Sequence, residues 1–125
     1  MPPIILLVDD DPLICSLWKE VLDHLGYQVE VAKDGGEALE LFRRLGKVDL
    51  VILDYCLPDR DGLQVLKDLK TLEPGVRVLV ASGFFSSQEV ARIKEMGAAG
   101  FIYKPYRVAD LENRIRLVLQ GQSGF

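Results

Sequence analysis

Short apolar runs alternate five times with amphipathic stretches of helical length along this chain, and that rhythm narrows the fold more than any other feature. Residues 4–8 (IILLV), 28–32 (QVEVA), 50–53 (LVIL), 76–81 (VRVLVA) and 101–103 (FIY) read as strands. The stretches between them repeat apolar residues at three- and four-residue spacing, as helices resting on a core do. Short connections and right-handed crossovers turn such strand–helix–strand units into a parallel sheet with helices on both faces. Run 50–53 is apolar throughout and reads as a central strand, whereas run 28–32 alternates and reads as an edge.

The helix boundaries are written in the same residues. Asp11 stands as an N-cap ahead of Pro12, whose missing N–H costs nothing in a first turn. The helix that follows is expected to pack Ile14, Leu17, Trp18, Val21 and Leu25 inward and to stop at Gly26. Asp34 with Glu37, and Ser86 with Glu89, have capping-box spacing. Asp61 and Gln64 open a third helix through Val65, Leu66 and Leu69, and the last helix presents Val108, Leu111, Ile115 and Val118. Residues 1–120 read as one domain, with 121–125 a frayed tail or the start of a linker.

Composition narrows the partners. Lys and Arg total 15 against 19 Asp and Glu, a formal charge of −4, which argues against a nucleic-acid footprint. No apolar stretch approaches the ~20 residues a membrane span needs, and no basic segment precedes the first hydrophobic run, so a cytoplasmic protein is expected. Cys15 and Cys56 follow no metal or redox spacing and are expected as reduced thiols. The one histidine, His24, falls late in the first helix and reads as a surface residue.

Four of the apolar runs deliver a polar residue at their C-terminal ends: Asp9 and Asp10, Asp54, Ser82, and Lys104. In an open parallel sheet those ends share one edge, where ligands bind. Three carboxylates brought together repel and ask for a cation, and all-oxygen ligands select a hard ion such as Mg²⁺. A metal plus Lys104 would surround Asp54 with positive charge, a setting in which a carboxylate can attack phosphorus and form an aspartyl phosphate. Ser82 would add a hydroxyl and Gly83 a backbone N–H.

With LLVDDDP, VILDYCLPDRDG, LVASG and FIYKP in this order and at these distances, the chain resembles the receiver domain of bacterial two-component response regulators over essentially its whole length. The resemblance implies a flavodoxin-like (βα)5 fold with strand order 2-1-3-4-5. It implies Asp54 as phospho-acceptor, and Mg²⁺ held by Asp10, Asp54 and the backbone carbonyl of Cys56, with Asp9 acting through water. It implies Lys104 as a phosphoryl contact with a cis bond to Pro105. A sensor histidine kinase or histidine phosphotransfer protein would be the donor. A switch is implied in which Ser82 moves toward the phosphoryl group and Phe101 follows inward, with Tyr103 on the same face. The readout surface would be the fourth helix, fifth strand and fifth helix, available to an effector or to a second copy in a homodimer.

Cys56 and Phe84 depart from a polar flank for a hydrolytic water, which points to slow self-dephosphorylation. Asp11, Asp59 and Asp61 read as caps and turn residues, and Phe84 with Phe85 as either a cover for the sheet end or an exposed patch. Competing classes remain beside this reading. A phosphohydrolase of the haloacid-dehalogenase type needs an acid where Cys56 stands. A flavin-binding protein wants a hydroxyl-rich loop where DDDP stands, and a degenerate receiver would have lost an acid or the lysine.

Overall fold

The computed structural model describes residues 2–125. Five strands and five helices alternate: β1 (Ile4–Val8), α1 (Pro12–His24), β2 (Gln28–Ala32), α2 (Gly35–Leu45), β3 (Leu50–Asp54), α3 (Gly62–Leu72), β4 (Val78–Ser82), α4 (Ser87–Glu95), β5 (Gly100–Tyr103) and α5 (Val108–Leu119). The strands form one parallel sheet in the order β2-β1-β3-β4-β5. This is the doubly wound α/β fold expected from the alternation.

Successive side chains on each strand feed opposite faces. Leu6, Val8, Leu53 and Val80 pack with Ala38 of α2, Leu66 and Leu69 of α3 and Ile93 of α4. Ile5, Leu7, Ile52 and Leu79 pack with Trp18 and Leu22 of α1 and with Leu111 and Ile115 of α5. β3 and β4 are buried along their whole length, as strands sandwiched between helix layers must be.

The helix N-caps form at the expected residues, although Asp34 and Glu37 make only the Asp34 half of the capping box their spacing suggests. Asp11, Asp34 and Asp61 accept hydrogen bonds from the first-turn amides of α1, α2 and α3, and Ser86 with Glu89 completes a reciprocal capping box on α4. Three expectations need correction. The first is the phase of α1, which buries Cys15, Trp18 and Leu22 and leaves Leu17 and Leu25 exposed. Two neighbouring apolar stripes run along this helix. Trp18 packing against Tyr106 with tilted rings, their centroids 4.8 Å apart, and the Cys15 thiol donating to the Asp9 carbonyl at 3.2 Å select one of them. The second is Val108, which begins α5 at the surface while Leu111, Ile115 and Val118 go inward.

The third correction is the C-terminal segment, which does not fray. Gly124 forms a parallel bridge to Gly100 and donates to the Ala99 carbonyl at 2.9 Å, and Phe125 packs against Phe101 with centroids 5.8 Å apart. Among the described residues, no helix is long and apolar enough to cross a membrane.

Candidate functional site

The edge formed by the C-terminal strand ends gathers the predicted residues. Asp9 and Asp10 follow β1, Asp54 ends β3, Ser82 ends β4 and Lys104 follows β5. Asp9 and Asp54 are buried, whereas Asp10 is exposed. One carboxylate oxygen from each of the three acids lies within 4.8 Å of the others.

Lys104 ties the cluster together. Its ammonium donates to Asp9 Oδ2 at 2.8 Å and to Asp54 Oδ2 at 3.1 Å. The opposite oxygens are held by the backbone: Asp11 N–H donates to Asp9 Oδ1 at 3.0 Å, and Cys56 N–H donates to Asp54 Oδ1 at 3.2 Å. Burial pushes the Asp54 carboxyl above its ordinary value, with the Lys104 ammonium and the Cys56 amide pulling only partly the other way. Burial also works against the Lys104 charge. The hydrogen bonds and attraction of Asp9 and Asp54 outweigh it and hold the ammonium's pKa well above the usual lysine value. Cys15, beneath Asp9, is pushed up to about 11 by burial and by that acid, so it is a neutral thiol. Both cysteines are free.

The loop after Asp54 is braced from several sides. Tyr55 N–H donates to the Ala81 carbonyl at 2.8 Å, and Gly62 N–H to the Tyr55 carbonyl at 2.7 Å. A Cβ on Gly62 would sit 2.7 Å from Tyr55 Cα, so the chain can turn back on itself here only as glycine. Asp59 reaches across to the α2 N-terminus, where Gly35 N–H and Gly36 N–H donate to its two oxygens at 2.8 and 2.9 Å. Slight burial opposes ionisation there, but those two donors hold the Asp59 carboxyl below the usual range. The neighbouring Arg60 also donates to Asp59 Oδ2 at 3.2 Å, and a turn acid beside an arginine gives no sequence signal of the long-range clamp to α2.

Ser82 is placed at the site but turned from it. Its hydroxyl donates to the Phe84 carbonyl at 3.0 Å and accepts from Phe84 N–H at 3.3 Å. A Cβ at Gly83 would meet open space, so packing does not force a glycine there. Phe84 and Phe85, adjacent in sequence, part company: Phe84 is 73% exposed and Phe85 is buried against Tyr55, Phe101 and Tyr103. Phe101 is half-buried with its ring edge-on to Phe85 and Tyr103, each at 5.3 Å, while Tyr103 is 50% exposed. The Lys104–Pro105 bond is cis.

Against known proteins, the family model described as the response regulator receiver domain matches residues 5–116. The chain belongs to that family. The transcriptional regulatory protein CpxR of Klebsiella pneumoniae is 41% identical over 119 residues, which cover 93% of this chain and 49% of CpxR. Response regulator MprA of a Mycobacterium species is 35% identical over 123 residues, covering 98% of this chain and 53% of MprA. The receiver domain thus spans about half the length of the curated relatives it matches. A CheY-like receiver domain from Methanospirillum hungatei superposes with a TM-score of 0.90 at 32% identity, covering 98% of this chain and 97% of that one. A chain of the CheX–CheY–BeF3–Mg²⁺ complex from Borrelia burgdorferi does so at 0.90 and 28% identity, with 94% and 90% covered. The protein is a regulatory receiver domain of two-component response regulators, built on the fold of phosphorylation-activated switches.

Proposed function

We propose that this receiver domain accepts a phosphoryl group on Asp54 from a sensor histidine kinase or a histidine phosphotransfer protein, in an Mg²⁺-dependent reaction that its own residues catalyse. The observation that carries this reading is the single ammonium of Lys104 shared between Asp9 and Asp54, with Asp10 alongside. The pairing makes the crowded acids tolerable and leaves a cation beside the oxygen that must attack.

The donor set fits a hard divalent cation: it is all oxygen, from one exposed and two buried carboxylates, with no thiolate or imidazole among them. Asp10 and Asp54 would hold Mg²⁺ with the main-chain carbonyl of Cys56, and Asp9 would act through water. Bound there, Mg²⁺ would neutralise the phosphoryl oxygens as charge develops. Beryllofluoride and Mg²⁺ in the complex that contains a structural neighbour from Borrelia support the assignment.

Asp54 makes a new O–P bond while the N–P bond of the donor phosphohistidine breaks, and the electron pair leaves with the imidazole. The backbone N–H of Cys56 aims the Asp54 carboxylate, and Lys104 exchanges part of its hold on Asp54 for a phosphoryl oxygen. Ser82 gives up the Phe84 carbonyl to donate to the same group, and Gly83 N–H adds a second donor. Phe101 then turns inward and changes the α4–β5–α5 surface. That surface is read by an effector domain or protein, or by a second copy of the chain in a homodimer, in the cytoplasm and without direct nucleic-acid contact by this domain. The output depends on how much more tightly the phosphoryl group binds one conformation than the other.

Treatment with acetyl phosphate and Mg²⁺ followed by intact-mass measurement tests the assignment. The mass of one added phosphoryl group is expected for the native chain and none for Asp54→Ala. No gain, or a gain that survives that substitution, overturns it.

A further inference from the structure

The C-terminal segment occupies the same face that the proposed switch would present to partners. After α5 the chain reverses at Gly121, which has φ +80°, and runs back along the free edge of β5. Gly124 N–H donates to Ala99 O at 2.9 Å and Phe101 N–H to Gly124 O at 3.4 Å. Arg114 of α5 donates to both the Phe101 and Gly124 carbonyls, binding strand and segment into one unit. Phe125 lies on the Phe101 ring, and Lys94 of α4 sits 5.6 Å from its centroid.

Three observations show a fitted contact rather than a loose end. A Cβ on Gly100 would stand 2.7 Å from the Gly124 backbone, and one on Gly124 would stand 2.9 Å from the Val118 side chain, so the close approach requires glycine on both sides. Gly124 is buried although it lies one residue from the end of the sequence. The bridge also satisfies backbone groups on an edge strand that would otherwise offer itself to another chain.

We propose that residues 121–125 are the resident occupant of the α4–β5–α5 surface, held by Phe125 on the Phe101 ring and dislodged when Phe101 turns inward. The occupancy stands on the contacts alone, and its coupling to Phe101 rests on the Asp54 reading above. In the unphosphorylated protein the segment covers part of the face a second copy or an effector would use. When Phe101 leaves, Phe125 loses the ring it rests on, and β5 regains a free edge. Activation then consists of uncovering a surface as well as reshaping one, and any chain that continued beyond Phe125 would be freed with the segment.

Amide hydrogen exchange by NMR on the 125-residue chain tests both parts. Gly124 N–H is expected to exchange at least about tenfold more slowly than an unstructured amide in the native chain. That protection should be lost in Phe125→Ala and in Gly100→Ala, whose added methyl meets the Gly124 backbone. An unprotected Gly124 in the native chain, or protection that survives both substitutions, overturns the occupancy. With beryllofluoride and Mg²⁺ added, a bound fluorine resonance together with about a tenfold loss of Gly124 protection supports the coupling. A bound resonance with unchanged protection overturns the coupling while leaving Asp54 in place. No bound resonance overturns the Asp54 reading and the coupling with it.

Discussion

Lys104 sets the electrostatic balance of the site, and its neighbours respond differently to its loss. Removing one partner of a nearly buried ion pair strands the other charges, so Lys104→Met is expected to cost about 3 kcal/mol in a denaturant titration. Because the folded pKa of Lys104 lies above its unfolded value of 10.5, its contribution is complete below that pH and disappears as pH rises through the folded value. Asp54 behaves oppositely. Its raised pKa means that the folded protein carries the charge at a cost near neutrality, a cost that fades as pH falls through the folded value. Thermal melts in EDTA should therefore show Asp54→Asn more stable than the native chain at pH 7, with the gap narrowing toward pH 4. Mg²⁺ should raise the native melting temperature, by about 2.7 kcal/mol of stability at a hundredfold excess over its Kd. Asp10→Asn should weaken that effect more than Asp9→Asn if Asp10 is the direct ligand. Beside the proposed phosphoryl site, Cys56 and the exposed ring of Phe84 would offer a hydrolytic water little to bind, so decay of the phosphorylated form should be slow and Phe84→Glu should speed it. Fast decay unaltered by that substitution would contradict this account of the apolar flank.

At the level of elements, the connection from β3 to α3 does the positioning, because it must hold the Cys56 amide against Asp54 while turning sharply. Gly62→Ala forces a methyl into the Tyr55 backbone and is expected to cost about 1–3 kcal/mol and to lower Mg²⁺ affinity, read by calorimetry. Asp59→Ala removes the acceptor for two α2 amides and is expected to cost about 1 kcal/mol. The strand ends and the caps at Asp11, Asp34, Asp61 and Ser86 were legible in the sequence because each rests on residues a few positions apart. The phase of α1 was not, since Ile14, Leu17 and Val21 form as good a stripe as Cys15, Trp18 and Leu22. The choice comes from tertiary contacts, the docking of Trp18 onto Tyr106, 88 positions away, and the Cys15 thiol on the Asp9 carbonyl. The Asp59 clamp was hidden for the same reason, as its partners lie 24 and 23 residues off in another loop.

For the whole molecule, parallel order brings residues from four strands to one edge, and that convergence makes separate acids and an ammonium into a single cluster, with Ser82 at the same edge. It could be read from the sequence because each residue sits at the same end of its apolar run. The C-terminal segment could not: QGQSGF is rich in glycine and polar residues, and its order comes from tertiary contacts with β5 and α5. On the proposed reading, the sheet carries a phosphoryl site at its C-terminal edge and a readout face along β5, on whose edge residues 121–125 lie. The central claim is that Asp54 is the residue modified. An acyl phosphate is an activated carboxyl that borohydride reduces to the alcohol, converting aspartate to homoserine, and peptide mass spectrometry then locates it. After phosphorylation with acetyl phosphate and Mg²⁺, homoserine is predicted at position 54 alone; homoserine at Asp9, Asp10 or another aspartate with Asp54 intact would contradict the account.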